Sequence, residues 1–284
     1  MKLKLSKTLF LILMLCATGM AQAAPAYKPY ILASVAPAQV KEKLTAEGFE
    51  VLGEYEPYQG AKVMVVTSDA LKSAASQSDF GGYGAIQRVA IAGDKVSYTN
   101  PVYWANGYRM ATDLADIAAA LKKALGNKGE FGSKKGKTKK ELRKYHYAPF
   151  MPYFTDPIEL AKHGTHKAAV EKVEAALKKE GNGTMFVYRV DIPKKDETLF
   201  GMGVLGDHDG ADRVVMTILN KYTGDGPKHI AYMPYEILVS GTNAYLLHGK
   251  FRIALSFPDL SMMQFMKIRK APEGIEKAAK AAAK

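Results

Sequence analysis

The 284-residue chain has one cysteine, one tryptophan and a single long apolar run. One cysteine excludes a disulfide scaffold, and one apolar run excludes a polytopic membrane protein. Enzyme signatures are missing too. There is no Gly-x-Ser-x-Gly elbow and no Walker phosphate loop, and the carboxylates are too scattered to nominate an acid/base pair. One string, Gly201-Met202-Gly203-Val204-Leu205-Gly206, satisfies a Gly-x-Gly-x-x-Gly pattern, but no convincing βαβ unit follows it. No residue therefore speaks for catalysis, and the sequence leaves any cofactor unknown.

The apolar run lies at the start of the chain. Lys2, Lys4 and Lys7 precede Leu9 to Ala17, a stretch too short to span ~30 Å of hydrocarbon at ~1.5 Å per residue. Ala21-Gln22-Ala23 then supplies small residues for cleavage. Residues 1–23 thus read as a signal peptide, and the expected location is the periplasm or, alternatively, outside the cell. A bulky Leu15 before Cys16 argues against lipidation. Cleavage would remove three lysines and the only thiol, lowering the net charge from +12 to +9. A thiol-free mature chain suits an oxidising compartment and excludes thiolate catalysis and Cys-based metal sites.

What is present divides into two patterned stretches around a basic segment. Between Gly126 and Tyr147, eight Lys and Arg side chains face only Glu130 and Glu141. That composition predicts a solvated linker over residues 127–150, between a first domain at 24–126 and a larger second one at 151–284. Lys134, Lys135, Lys137, Lys139, Lys140, Arg143 and Lys144 are then candidates for contact with an acidic partner protein or an anionic membrane. Nucleic acid is not expected for an exported chain.

Before this segment the pattern predicts a strand at Tyr30–Ser34 and a helix from Pro37 to Gly48. Strands follow at Val51–Tyr55 and Ala61–Thr67, and Ser68 is placed to cap a helix over Asp69–Ser76. A hairpin across Gly93-Asp94 comes next, then a helix capped by Thr112. After it, Thr165 caps a helix ended by Gly181. Strands are expected at Met185–Val190, Leu199–Leu205, Tyr235–Val239, Ala244–Leu247 and Phe251–Phe257, a helix at Ala211–Asn220, and a helical stretch after Pro258. Gly48 and Gly181 each end a helix before two strands and a helix, and Pro101 and Pro258 are each read as closing a strand. The expected fold is therefore α+β: two similar domains, each an antiparallel sheet packed with helices, from a tandem duplication.

The segments Val40–Tyr55 with Asp94–Tyr108, and Ala168–Gly181 with Arg252–Ile268 including Phe257-Pro258-Asp259-Leu260, resemble the bacterial domain-of-unknown-function family 302. The resemblance spans about two-thirds of the mature chain as two copies. It implies a compact α+β domain with an antiparallel sheet and brings no reaction and no catalytic residues.

Three clusters are candidate sites. Tyr98, Asn100, Tyr103, Trp104 and Tyr108, with the aromatics from Tyr145 to Phe154, suit either a ligand cleft or an inter-domain seam. His163, His166, Asp207, His208 and Asp209 offer mixed nitrogen and oxygen ligands for a metal, although the two aspartates also serve as turn formers. Met262, Met263 and Met266 are soft copper(I) ligands by chemistry, and core filler by their helical spacing. The leading expectation is a non-catalytic protein holding a small ligand or metal in the groove between its halves. An accessory protein docking through the basic segment is the second, and a metal-dependent enzyme the third.

Overall fold

The computed structural model describes residues 24–179, 181–224 and 226–284. The expected signal peptide lies outside the described residues. Among them, no helix is long and apolar enough to cross a membrane.

The first half runs β1 (Ala26–Tyr27), β2 (Tyr30–Leu32), α1 (Val40–Ala46), β3 (Glu50–Tyr58), β4 (Ala61–Thr67), α2 (Asp69–Ser76), β5 (Gln87–Ala92), β6 (Lys95–Thr99), α3 (Pro101–Gly107) and α4 (Ala115–Leu125). The basic segment adds β7 (Glu130–Phe131), β8 (Lys137–Thr138) and α5 (Lys139–Arg143). The second half runs β9 (Ile158–Lys162), α6 (His166–Lys178), β10 (Thr184–Asp191), β11 (Glu197–Val204), α7 (Asp212–Leu219), β12 (Tyr235–Ser240), β13 (Asn243–Leu246), α8 (Gly249–Ser256), α9 (Met262–Met266) and α10 (Ala271–Ala283). The class is α+β, with antiparallel pairing throughout.

Local signals explain much of this. Ser68 accepts from Leu71 N and Thr165 from Ala168 N, so α2 and α6 start at capped positions. Gly48 follows the C-cap of α1 in the left-handed region at φ +79°, where a side chain would be strained, whereas α6 already ends at Lys179 in an extended conformation and Gly181, at φ +75°, lies beyond it. Val170, Val173 and Leu177 form the buried stripe of α6. Thr112 does not cap α4. That helix starts after Leu114 at φ 55°, and Asp113 Oδ1 accepts from Ala115 N instead.

The principal sheets are ordered β3-β4-β5-β6-β2-β7 and β10-β11-β12-β13-β9. Without the added β7, the two orders correspond strand for strand, and the intervening helices fall at the same places. In that matching β12 stands where β5 stands, and β13 where β6 stands. It also corrects one element. Phe251–Phe257, expected as a strand, lies in helix α8 and its C-cap, so Pro258 follows a helix whereas Pro101 begins one. The basic segment is not a bare tether. β7 joins β2 as the sixth strand, β8 pairs with β1, and Thr138 caps α5 through a reciprocal capping box with Glu141.

The halves meet through exchanged pieces. The turn at Gly81–Gly84 packs on β11 and β12, and its counterpart at Ile230–Tyr232 packs on β4, β5 and β6. Edge strands β3 and β10, each carrying a bulge, also touch.

Candidate functional site

Counting from the hairpin turns Gly93-Asp94 and Gly241-Thr242, Arg88 on β5 occupies the position of Glu236 on β12. These two residues form an ion pair with each other, and both are almost completely buried. Further along, Trp104 on α3 matches Arg252 on α8, and the Arg252 guanidinium lies 5.0 Å from the Trp104 ring centroid. Gly107 matches Leu255, and a Cβ at Gly107 would come within 2.8 Å of the Leu255 side chain. Each residue thus meets its own counterpart, as residues on a two-fold axis do.

This centre holds two guanidinium groups and one nearby carboxylate. Arg252 Nε lies 3.5 Å from Glu236 Oε2, and its NH2 donates to Tyr232 O at 2.7 Å. The neighbouring hydroxyls of Tyr108 and Tyr188 have no hydrogen-bond partner among the described residues. A buried pair of this kind resists the loss of one member, because the remaining charge is then stranded away from water. Composition alone did not flag Arg88, Glu236 or Arg252. The available signal was a single charge beside a run of apolar strand residues, Arg88-Val89-Ala90-Ile91 and Tyr235-Glu236-Ile237-Leu238-Val239.

Of the aromatic candidates, Tyr103, Trp104 and Tyr108 lie in this seam. Tyr98, Asn100, Tyr103, Trp104 and Tyr108 are all buried. Tyr103 OH donates to Leu255 O at 2.8 Å, which ties α3 to α8 across the halves. Tyr98 OH donates to Gly126 O at 2.8 Å. Asn100 Nδ2 donates to Lys28 O at 3.0 Å and Trp104 Nε1 to Pro29 O at 2.9 Å, fixing the entry to β2. These side chains hold a cleft in shape rather than line it.

That cleft, of about 450 Å³, opens between the halves beside Lys28. Lys28, Glu130, Phe131 and Lys134 form one wall; Tyr222, His229, Phe257 and Asp259 form the other. The carboxylates are engaged by backbone. Glu130 accepts from Lys28 N at 2.7 Å, while Asp259 accepts from Lys134 N at 2.6 Å and Ser133 Oγ at 3.2 Å. Neither the Lys28 nor the Lys134 ammonium takes part in an ion pair among the described residues.

His229 is the buried titratable group of this cleft. Its ring stacks on Phe257 at 4.6 Å and tilts against Tyr30 at 4.9 Å. Burial lowers its pKa to about 4, so the ring is neutral near pH 7. Nδ1 lies 3.0 Å from the Ser256 carbonyl and must carry the proton to donate there. Nε2 is left as an acceptor with no partner among the described residues. Lys28 and His229 were missed because each sits in an irregular stretch without periodicity.

The metal candidates do not converge. His163 Nε2 lies 3.0 Å from Ala283 O, and His166 Nδ1 lies 3.0 Å from Gly241 O. Asp207 pairs with Arg213, while His208 and Asp209 border a separate hollow of about 580 Å³ against α10. Among the described residues, no group of three or more His, Cys, Asp or Glu is arranged to hold an ion. The basic candidates divide. Lys139 pairs with Asp113 at 2.5 Å, Lys137 lies over the Tyr145 ring, and Arg143 donates to Met110 O at 2.9 Å. Lys134 borders the cleft, and Lys140 and Lys144 border a shallower basic hollow with Tyr147 and Pro258. Lys135 makes no ion pair among the described residues. The chain matches no family model, no curated protein and no solved structure.

Proposed function

We propose that the chain is an exported, non-catalytic binding protein that takes a small organic anion in the cleft between its halves. The observation carrying this reading is the composition of the cleft. Two ammonium groups without ion-pair partners among the described residues, one neutral imidazole acceptor and aromatic walls surround a space of small-molecule size. The two ammonium groups disfavour a metal cation, and because Glu130 and Asp259 keep their charge while accepting backbone hydrogen bonds, the anion must also carry a donor for the His229 Nε2 acceptor. We propose further that the halves descend from one duplicated unit, which the matching strand orders support, and that this unit is related to family 302, which rests on the sequence resemblance alone. The second reading, an accessory protein docking through its basic segment, has less to work with, because Lys137, Lys139 and Arg143 are engaged within the fold.

Native mass spectrometry of protein purified from its own cell envelope tests the cleft. The expected result is a mass above the polypeptide, released on denaturation and lost in Lys28→Ala but kept in Lys135→Ala. A bare polypeptide mass in every preparation would overturn the binding role.

A further inference from the structure

Methionine fills irregular gaps in cores, and Met64, Met110, Met202, Met216 and Met233 do so here. Helix α9 does the opposite. Ser261 starts it with a capping box to Gln264, and only Phe265 turns inward, where it stacks on Tyr147 at 5.0 Å. Met262, Met263 and Met266 are exposed by 47%, 80% and 48% and do not join the core. Their helical spacing is thus not the mark of a packed face. At 3.6 residues per turn, positions 262, 266 and 263 fall within an arc of ~100°, so the three side chains leave the helix on one side.

Three flexible thioethers grouped on one exposed turn, with no branched aliphatic among them, are a set of soft ligands. Such sulfur donors select copper(I) over the harder divalent ions. We propose that α9 binds one copper(I) ion through the Sδ atoms of Met262, Met263 and Met266. The ion enters and leaves as copper(I), and no electron transfer is involved. Because thioethers are neutral and carry no proton to lose, binding persists at acidic pH where histidine and thiolate ligands are protonated. The site is separate from the cleft and stands or falls without it.

The test uses silver(I) as a redox-inert probe on the full chain carrying Cys16→Ser, which removes the competing thiol, with methionine methyls labelled with carbon-13. The three α9 methyl signals should shift together and saturate at one equivalent, at pH 5 as at pH 7, while the five buried methyls stay still. The variant Met262→Leu/Met263→Leu/Met266→Leu keeps the apolar surface and should lose that equivalent with an unchanged circular dichroism spectrum. Copper(I) competition against bicinchoninate should show the same loss. The proposal is overturned by silver shifts that spread equally to Met151 and Met185, by the absence of any shift (the outcome for a surface that docks an apolar partner), or by undiminished uptake in the triple variant.

Discussion

Asp69 and Asp212 each stand at the first position of the helix that follows the first hairpin of its half, and both helices are eight residues long. Asp69 is fully exposed and lies 2.9 Å from Lys72, which holds its carboxyl below the usual range. Asp212 is buried, receives Tyr55 OH from the other half at 3.3 Å, and has one oxygen without a hydrogen-bond partner among the described residues. Burial raises its pKa to about 8. The same residue at the same place in a repeated order of elements acquires opposite chemistry because one half covers the other. What distinguishes the halves is therefore which surfaces they exchange, more than how each is built.

The seam offers the largest way to break that comparison. Glu236→Gln leaves Arg88 and Arg252 without a counter-charge and should cost about 3–5 kcal/mol in urea unfolding, whereas Arg88→Met and Arg252→Met combined with Glu236→Leu, which remove all three charges, should recover most of it. A triple apolar replacement as damaging as the single change would place the stabilisation elsewhere.

The two aspartates sharpen it next. Asp212 binds its proton more tightly when folded than when unfolded. Its contribution to stability is therefore complete below the ordinary carboxylate range and is lost as pH rises through about 8. His229 works in the opposite sense, its contribution being lost as pH falls from 6.5 toward about 4, so the interval from 6.5 to 8 isolates Asp212 from it. Urea midpoints should fall across that interval in the parent chain and in Asp69→Asn, and fall less in Asp212→Asn. Equal slopes in all three would remove the distinction.

The smallest effect concerns how the same two helices begin. α2 has the Ser68 cap, and α7 begins after Ala211 without a side-chain cap. Ser68→Ala should lower stability by ~1 kcal/mol, measured as a shift in thermal midpoint. No shift would mean that tertiary packing alone holds α2.

Local chemistry was legible in the sequence, and burial on all sides was not. The Ser68 and Thr165 caps, the Gly93-Asp94 hairpin and the glycine ending α1 each announce themselves within a few residues. Alternating Phe251, Ile253, Leu255 and Phe257 suggested a strand, yet α8 is buried all round and so shows no amphipathic period. The Met262–Met266 spacing suggested a packed face because spacing reports which residues share a side, and only tertiary structure reports what lies against it. The basic run read as a tether because its partners, Asp113, Tyr27 and Tyr145, lie outside it or at its edge. The cleft was foreseeable as a groove between halves. Its own residues, Lys28 and His229, carried no signal because the turns that position them are set by contacts more than 70 residues away in sequence.

A double-mutant cycle on Arg88 and Glu236, read by urea unfolding, tests most directly whether the halves are joined about these two matched positions. The expected coupling is about 2 kcal/mol or more, since each residue is the other's buried counter-charge. Free-energy changes that add to within ~0.5 kcal/mol would contradict it.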